Sequence, residues 1–223
     1  MQTTQLTQFN PFSNIILASA SPRRADLLRQ IGLEFQIRPS KAPEPEITHQ
    51  SPTTAVQKLA LMKASAVAEG LDSGLVIGAD TVVVIDGKVI GKPDSDQHAI
   101  EILTRLSGNH HEVITGVALI HLSTSASQAK RKPQSQEVTW AERTTVYFRK
   151  LRYSEIIEYV RSGEASDKAG AYGIQGRAAA FVTRIEGCYF NVVGLPVASL
   201  VENLRGLTEI PHSIELSANL PDR

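Results

Sequence analysis

The sequence predicts an α/β protein built on a mixed sheet. Two observations carry this: strand-like and helix-like segments alternate along most of the chain, and some strands are joined by tight turns while others are joined through helices. Asn14–Ala18 is a short apolar strand. Pro22–Ile31 follows as a helix with Leu27, Leu28 and Ile31 on one side. Glu34–Arg38 reads as strand and Pro52–Glu69 as a second helix. Leu75–Ile85 is a β-branched strand that turns at Asp86-Gly87 into Lys88–Ile90, a hairpin signal. Ser95–Leu106 is a third helix, stopped by Gly108. Glu112–Leu122 and Val138–Phe148 are strands around STSASQAKRKPQSQE, residues 123–137, which reads as a long exposed hairpin loop. Ser154–Arg161 is helical and stops at Gly163. Ala179–Ile185 and Cys188–Val193 read as a hairpin around Glu186-Gly187, and Pro196–Leu204 as a final helix opened by its proline.

The chain has 223 residues, long enough for one substantial core without disulfide staples. We expect one domain over residues 13–206, a disordered segment over 1–12 and a flexible tail over 207–223. The 23 Lys+Arg balance 23 Asp+Glu, and aromatics are 5% of the chain. This argues against binding to nucleic acid or membrane through bulk charge or base stacking. A single cysteine excludes an internal disulfide framework and every multi-cysteine metal site. No stretch approaches the ~20 apolar residues of a membrane helix, and the first ten residues do not read as a secretory signal. The expected setting is cytoplasmic. Cys188 reads as a small packed side chain.

Four segments carry candidate chemistry. SASPRR, Ser19 to Arg24, places Ser21 at a helix N-cap, Pro22 at the first helical position and two arginines in the first turn. Cations there are disfavoured by the helix dipole unless an anion joins them, so the segment reads either as a phosphate site or as an ordinary helix start with solvent-facing arginines. Asp80 interrupts VIGADTVVVI, a run otherwise built for burial. An isolated carboxylate in such a strand is costly unless paired, liganding or facing a cleft. Lys63 falls on the apolar stripe of Val56, Leu59, Ala60 and Val67, either as a snorkelling side chain or as an ammonium held for an anion. Lys92, in GKP, is similar in kind. DKAGAYGIQG, Asp167 to Gly176, spaces three glycines by three and offers Asp167, Lys168, Tyr172 and Gln175 as polar contacts. A glutamine amide both donates and accepts, which suits a base edge; as a bare pattern the segment is also a turn-rich loop.

Other motifs are absent. GKVIGKP is one residue short of a Walker A loop and lacks its Ser/Thr, and GAYGIQG is not a dinucleotide turn. The adjacent His110 and His111 point apart, are a poor metal pair and read as surface or loop residues.

Taken in order, SASPRR, Lys63-Ala64, GADT at Asp80, GKP at Lys92, LSG at 106–108 and DKAGAYGIQG resemble the Maf family of nucleoside triphosphate pyrophosphatases, from about Asn14 to Leu204. The resemblance implies a two-lobed α/β fold whose mixed, twisted sheet is flanked by helices around a central cleft, related to the inosine triphosphatase architecture. It implies Asp80 as the catalytic proton acceptor beside a divalent metal, Mg²⁺ or Mn²⁺. Arg23, Thr81 and Gln175 match positions linked to substrate choice. Ser19, Arg24, Lys63, Lys92 and Lys168 resemble the polar lining of the triphosphate cleft. Glu44, in PSKAPE, resembles a further metal-site carboxylate, although Pro43 and Pro45 depart from the usual acidic run. The DKAGAYGIQG segment is similar to the group acting on dTTP and UTP. The implied reaction is NTP plus water to the monophosphate and pyrophosphate, possible uses being nucleotide-pool sanitation or division arrest. The alternatives are a pyrophosphatase for a modified purine such as 7-methyl-GTP, and a nucleotide-dependent regulator that binds a cell-division partner. The expected partners are the nucleotide and a second copy in a homodimer.

Overall fold

A computed structural model of the chain describes Phe12 and residues 14–42, 51–123 and 134–209. Seven strands form one mixed sheet in the order β2-β1-β3-β5-β6-β7, with β4 also paired to β3. The strands are β1 (Ile15–Leu17), β2 (Gln36–Ile37), β3 (Gly74–Ile85), β4 (Lys88–Ile90), β5 (His110–Ser123), β6 (Gln134–Phe148) and β7 (Val182–Glu186). β1 runs parallel to β2 and β3, and the remaining pairs are antiparallel. The helices are α1 (Pro22–Gln30), α2 (Pro52–Ala68), α3 (Asp96–Leu106), α4 (Tyr153–Arg161), α5 (Tyr189–Val193) and α6 (Val197–Glu209).

Both faces of β3 are covered, which is why its sequence is an almost unbroken apolar run rather than an alternating one. Leu75, Ile77, Ala79 and Val83 pack in the large core with Leu27 and Leu28 of α1, Leu103 and Leu106 of α3, and Leu200 of α6. Val76 faces the other way, onto Ala60, Ala64 and Val67 of α2. That second face is tight: a Cβ on Gly78 would lie 2.3 Å from the Ala60 carbonyl, and one on Gly116 2.3 Å from the backbone of Val56. The two glycines let α2 settle directly onto the sheet.

The pairing of β3 leaves a gap that becomes the site. On the side away from β5, β1 pairs only with Leu75–Ile77 and β4 only with Val83–Ile85. Between them, residues 78–82 are paired to β5 alone among the described residues. Asp80 and Thr81 lie in that gap, and side-chain alternation sends them to opposite faces of the sheet.

Most elements stand within a residue or two of where the sequence places them; four readings are corrected. Cys188–Val193 is no strand: Tyr189–Val193 is helical, and the segment Arg177–Phe181 before β7 is a 3₁₀ turn. Tyr, Phe and Val favour strands only when a sheet edge is available to them, and tertiary context overrides that preference here: the β6 edge is already taken by β7, and the helix turns Asn191 inward onto β5 and β6. The strands around the long hairpin reach further than the sequence suggests, through Ser123 and from Gln134. Paired register outweighs polar composition there, and residues 124–133 lie outside the described residues. The last helix continues from Leu204 to Glu209, with Leu207 buried. Phe12, placed by the sequence in a loose terminus, is buried with its ring edge-on to His121 at 5.0 Å. Residues 1–11, 13 and 210–223 are outside the described residues.

Candidate active site

A cavity of about 680 Å³ opens at the bare stretch of β3, a size suited to a small ligand. Its floor is Asp80 and Thr81. One wall is the turn from β1 into α1, and the other is the 167–176 segment with the end of β4.

Asp80 faces α2, and Lys63, one turn beyond Leu59 on the inward stripe of that helix, brings Nζ to 2.6 Å from Oδ1. Both side chains are mostly buried, so the Asp80 carboxylate draws compensation from the ammonium beside it. The ammonium of Lys63 lines the cavity and meets the carboxylate of Asp80 there. No helix among the described residues is long and apolar enough to cross a membrane.

Thr81 faces α1. Arg24, in the first turn of α1, donates from Nη2 to Thr81 Oγ1 at 3.0 Å, from Nη1 to Ser19 Oγ at 3.0 Å and from Nε to the Gly194 carbonyl at 2.9 Å. The guanidinium is a clamp tying the β1–α1 turn to β3 and to the end of α5. Ser21 is the N-cap and Pro22 the first helical residue, but the Ser21 side chain makes no capping bond; its N–H instead donates to Ser19 Oγ at 3.2 Å. The first-turn arginines therefore have protein partners, which answers the dipole objection to placing them there. Arg23, beside Arg24 in the same turn, has Nη1 3.8 Å from Asp167 Oδ2.

The 167–176 segment is anchored at Gly170, at Tyr172 and at Gly173, whose N–H donates to Tyr159 Oη at 3.1 Å. Gly170 adopts φ +73°, where a Cβ would also strike Val83 at 2.8 Å, and its N–H donates to the Gly91 carbonyl at 3.0 Å. Ala171 follows at φ +57°, uncommon for a residue with a Cβ. Tyr172 is buried, with Oη 2.7 Å from His111 Nε2 and its ring edge-on to Phe148 at 4.9 Å. These contacts leave Gln175 exposed at the cavity rim. Lys168 donates to the Glu164 carbonyl at 2.9 Å and to Asp167 Oδ1 at 2.5 Å. Its hydrogen bond, with a smaller contribution from Arg23, holds the Asp167 carboxyl below the usual range despite partial burial.

Of the residues singled out from the sequence, Ser19, Arg23, Arg24, Lys63, Asp80, Thr81, Lys92, Lys168 and Gln175 all line this one cavity. Glu44 lies outside the described residues. His111 is corrected from a surface residue to a buried one, 1% exposed and bonded to Tyr172; a histidine in a β-branched run flanked by aromatics across the sheet was its only sequence signal. Thr115 and Asn191 are both fully buried behind Thr81. Their sequence sign is a polar residue inside an apolar run, VITGVALI for Thr115 and CYFNVVGL for Asn191, the same sign that marks Asp80.

Residues 14–207 match the family described as Maf-like protein. The dTTP/UTP pyrophosphatase of Moorella thermoacetica is 53% identical over 192 residues, 86% of this chain and 94% of that one. The dTTP/UTP pyrophosphatase of Syntrophomonas wolfei is 47% identical over 182 residues, 82% and 91% of the respective chains. The solved structure of the Staphylococcus aureus Ham1 protein aligns at a TM-score of 0.42 and 17% identity, over 87% of this chain and 99% of that one. The family match runs from the residue before β1 into α6, spanning every element that walls the cavity, and the chain belongs to the Maf family.

Proposed function

We propose that the chain is a nucleoside triphosphate pyrophosphatase that hydrolyses dTTP and UTP to the monophosphate and pyrophosphate. The observation that carries this is a carboxylate paired with an ammonium at the bare edge of a central strand, in a cavity whose mouth presents Arg23, Lys92 and Lys168. The names of the two relatives support the substrate class.

In this reading water attacks the α-phosphorus, an O–P bond forms, and the bond to the bridging oxygen of the pyrophosphate breaks. Asp80 takes the proton of the attacking water. Lys63 binds one carboxylate oxygen and so fixes the direction of the other. Lys92 and Lys168 meet the charge that grows on the departing pyrophosphate. Asp167, now bridging Arg23 and Lys168, gives up those contacts as the triphosphate enters. Arg24 and Ser19 shape the wall, with Arg24 held by its protein acceptors. Arg23, Thr81 and Gln175 select the base and sugar.

A divalent cation fits this donor set in one way. Among the described residues no three His, Cys, Asp or Glu side chains gather around a common point. Mg²⁺ is commonly held by one or two carboxylates together with substrate phosphates, and Asp80 with the triphosphate supplies that set, Glu44 being the further candidate. When bound, Mg²⁺ or Mn²⁺ would polarise the α-phosphate and place water. The reading sets the enzyme in a reducing, cytoplasmic compartment, supported by its single cysteine, and takes a homodimer as its assembly.

The test is pyrophosphate release from dTTP, UTP, CTP, GTP and 7-methyl-GTP, with Mg²⁺ and with Mn²⁺. Release confined to dTTP and UTP is the expected result. Turnover of 7-methyl-GTP alone would move the chain to the modified-purine reading. Nucleotide binding without release, equal in wild type and Asp80→Asn, would favour a regulatory binding protein.

A further inference from the structure

Thr81 and Thr115 lie opposite one another on β3 and β5, with their hydroxyl oxygens 2.9 Å apart. Either could donate to the other in isolation; their remaining partners settle the direction. Arg24 Nη2 sits 3.0 Å from Thr81 Oγ1, and a guanidinium only donates. Thr115 Oγ1 sits 3.1 Å from the backbone carbonyl of Asn191, which only accepts. A hydroxyl carries one proton. That of Thr115 goes to Asn191, so that of Thr81 goes to Thr115. The chain of bonds runs one way, from Arg24 through Thr81 and Thr115 to the carbonyl of Asn191.

The far end is fixed as well. Thr115, Asn191 and Thr144 are fully buried. Asn191 Nδ2 donates to the Val113 carbonyl at 3.0 Å and to Thr144 Oγ1 at 2.9 Å, and Thr144 in turn donates to the Cys188 carbonyl at 2.9 Å. Short α5 is thereby bolted to β5 and β6, and the carbonyl that ends the relay cannot swing away. None of these buried groups reaches the cavity except Thr81, which is half-buried and lines it. With its proton engaged and one lone pair taken by Arg24, Thr81 has a single lone pair left to offer a ligand.

We infer that Thr115 and Asn191 are positioning residues that make Thr81 an acceptor-only contact, so that the substrate group lodged against Thr81 is a hydrogen-bond donor, the imide N3–H of a uracil or thymine base. This rests on the pyrophosphatase reading and deepens it. dTTP and UTP share that imide but differ at the 2′ position and at C5. Cytosine presents an unprotonated N3 in the same place, and two acceptors facing each other leave both unpaired. A site built to hydrogen-bond one donor discriminates strongly against an analogue that lacks it.

The test compares Thr115→Val, which keeps the shape and removes the hydroxyl, with Thr115→Ser, which keeps the relay. In Thr115→Val the Thr81 proton is released to point into the cavity. The ratio of kcat/KM for UTP over CTP should fall by about tenfold or more, chiefly through KM, while Thr115→Ser retains the wild-type ratio. A parallel loss on both substrates in Thr115→Val, or a Thr115→Ser enzyme with the same altered ratio, overturns the inference. If Thr115→Val does not fold, the wild-type enzyme decides with analogues. Turnover of N3-methyl-UTP should collapse while 2′,3′-dideoxy-TTP is still hydrolysed; retention of N3-methyl-UTP, or loss of the dideoxy nucleotide instead, overturns it. Failure of the underlying reading looks different: wild type would release no pyrophosphate from dTTP or UTP at all.

Discussion

The ammonium of Lys63 stands 2.6 Å from Oδ1 of Asp80, with the two side chains 15% and 14% exposed. At that burial neither charge is well hydrated, and removing the ammonium leaves the Asp80 carboxylate poorly compensated. Lys63 sits on a helix and Asp80 on a strand, so the distance is set by how closely α2 lies on the sheet. The pair is therefore a sensitive gauge of both chemistry and packing.

Lys63→Met should lower stability by roughly 1–3 kcal/mol, because the Asp80 carboxylate loses its charged partner in a poorly hydrated place. Activity should fall with it, since the carboxylate is no longer aimed. Lys63→Arg restores the charge on a bulkier, planar head and should recover stability more than turnover. Thermal melts alongside pyrophosphate release separate the two effects; equal recovery of both would show that aim does not matter.

Asp80→Asn keeps the shape of the side chain and removes its basicity. The expected loss in kcat is between roughly 10²- and 10⁴-fold, the range for removing a positioned general base, with the fold intact. Near-normal turnover in a folded Asp80→Asn protein would remove Asp80 from the mechanism.

Gly116 pairs in register with Asp80 across β3 and β5, and its missing side chain is what lets Val56 of α2 come so near. In Gly116→Ala the helix must move outward by roughly an ångström, because the obstacle is backbone and cannot rotate aside. We expect about 1–3 kcal/mol of destabilisation and a Tm lower by roughly 3–10 °C. Since α2 carries Lys63, kcat/KM measured well below that Tm should also fall, by as much as roughly 10²-fold. A destabilised variant with unchanged kcat/KM would uncouple the helix from the site.

The strand bearing Asp80 and the helix bearing Lys63 were legible because a charge inside an apolar pattern is a strong one-dimensional signal. Their pairing was not, since it depends on two glycines 38 residues apart that set the height of α2 above the sheet. The motif order pointed to the cavity as a whole, yet it grouped Arg24 with the triphosphate ligands, whereas its guanidinium is engaged by Ser19, Thr81 and Gly194. The Cys188–Val193 segment misled because its Tyr, Phe and Val side chains favour strands, and only the occupied β6 edge shows that no strand can form there. Thr115 and Asn191 act through contacts 34 and 76 residues away in sequence, which no local pattern encodes.

His111 supplies a prediction in pH. Burial against Phe148 and Tyr172, with a smaller push from neighbouring His110, lowers its pKa from 6.5 to about 4. The unfolded chain takes up the proton near pH 6.5, so below that the unfolded state binds more protons than the native one. By linkage, stability is fully present above pH 6.5 and is lost as pH falls toward 4, by about 3 kcal/mol in all. Below pH 4 both states are protonated and this slope ends. His111→Gln retains a group that can bond Tyr172 Oη and removes the titration. Its Tm should therefore decline less than that of wild type between pH 6.5 and pH 4.5, whatever the offset between the two proteins at pH 7.5. Parallel Tm profiles would mean that the native fold admits a proton on His111 at little cost. Because Tyr172 anchors the segment that carries Gln175 and Lys168, the acid range in which wild type weakens should also be the range in which KM for the nucleotide rises first.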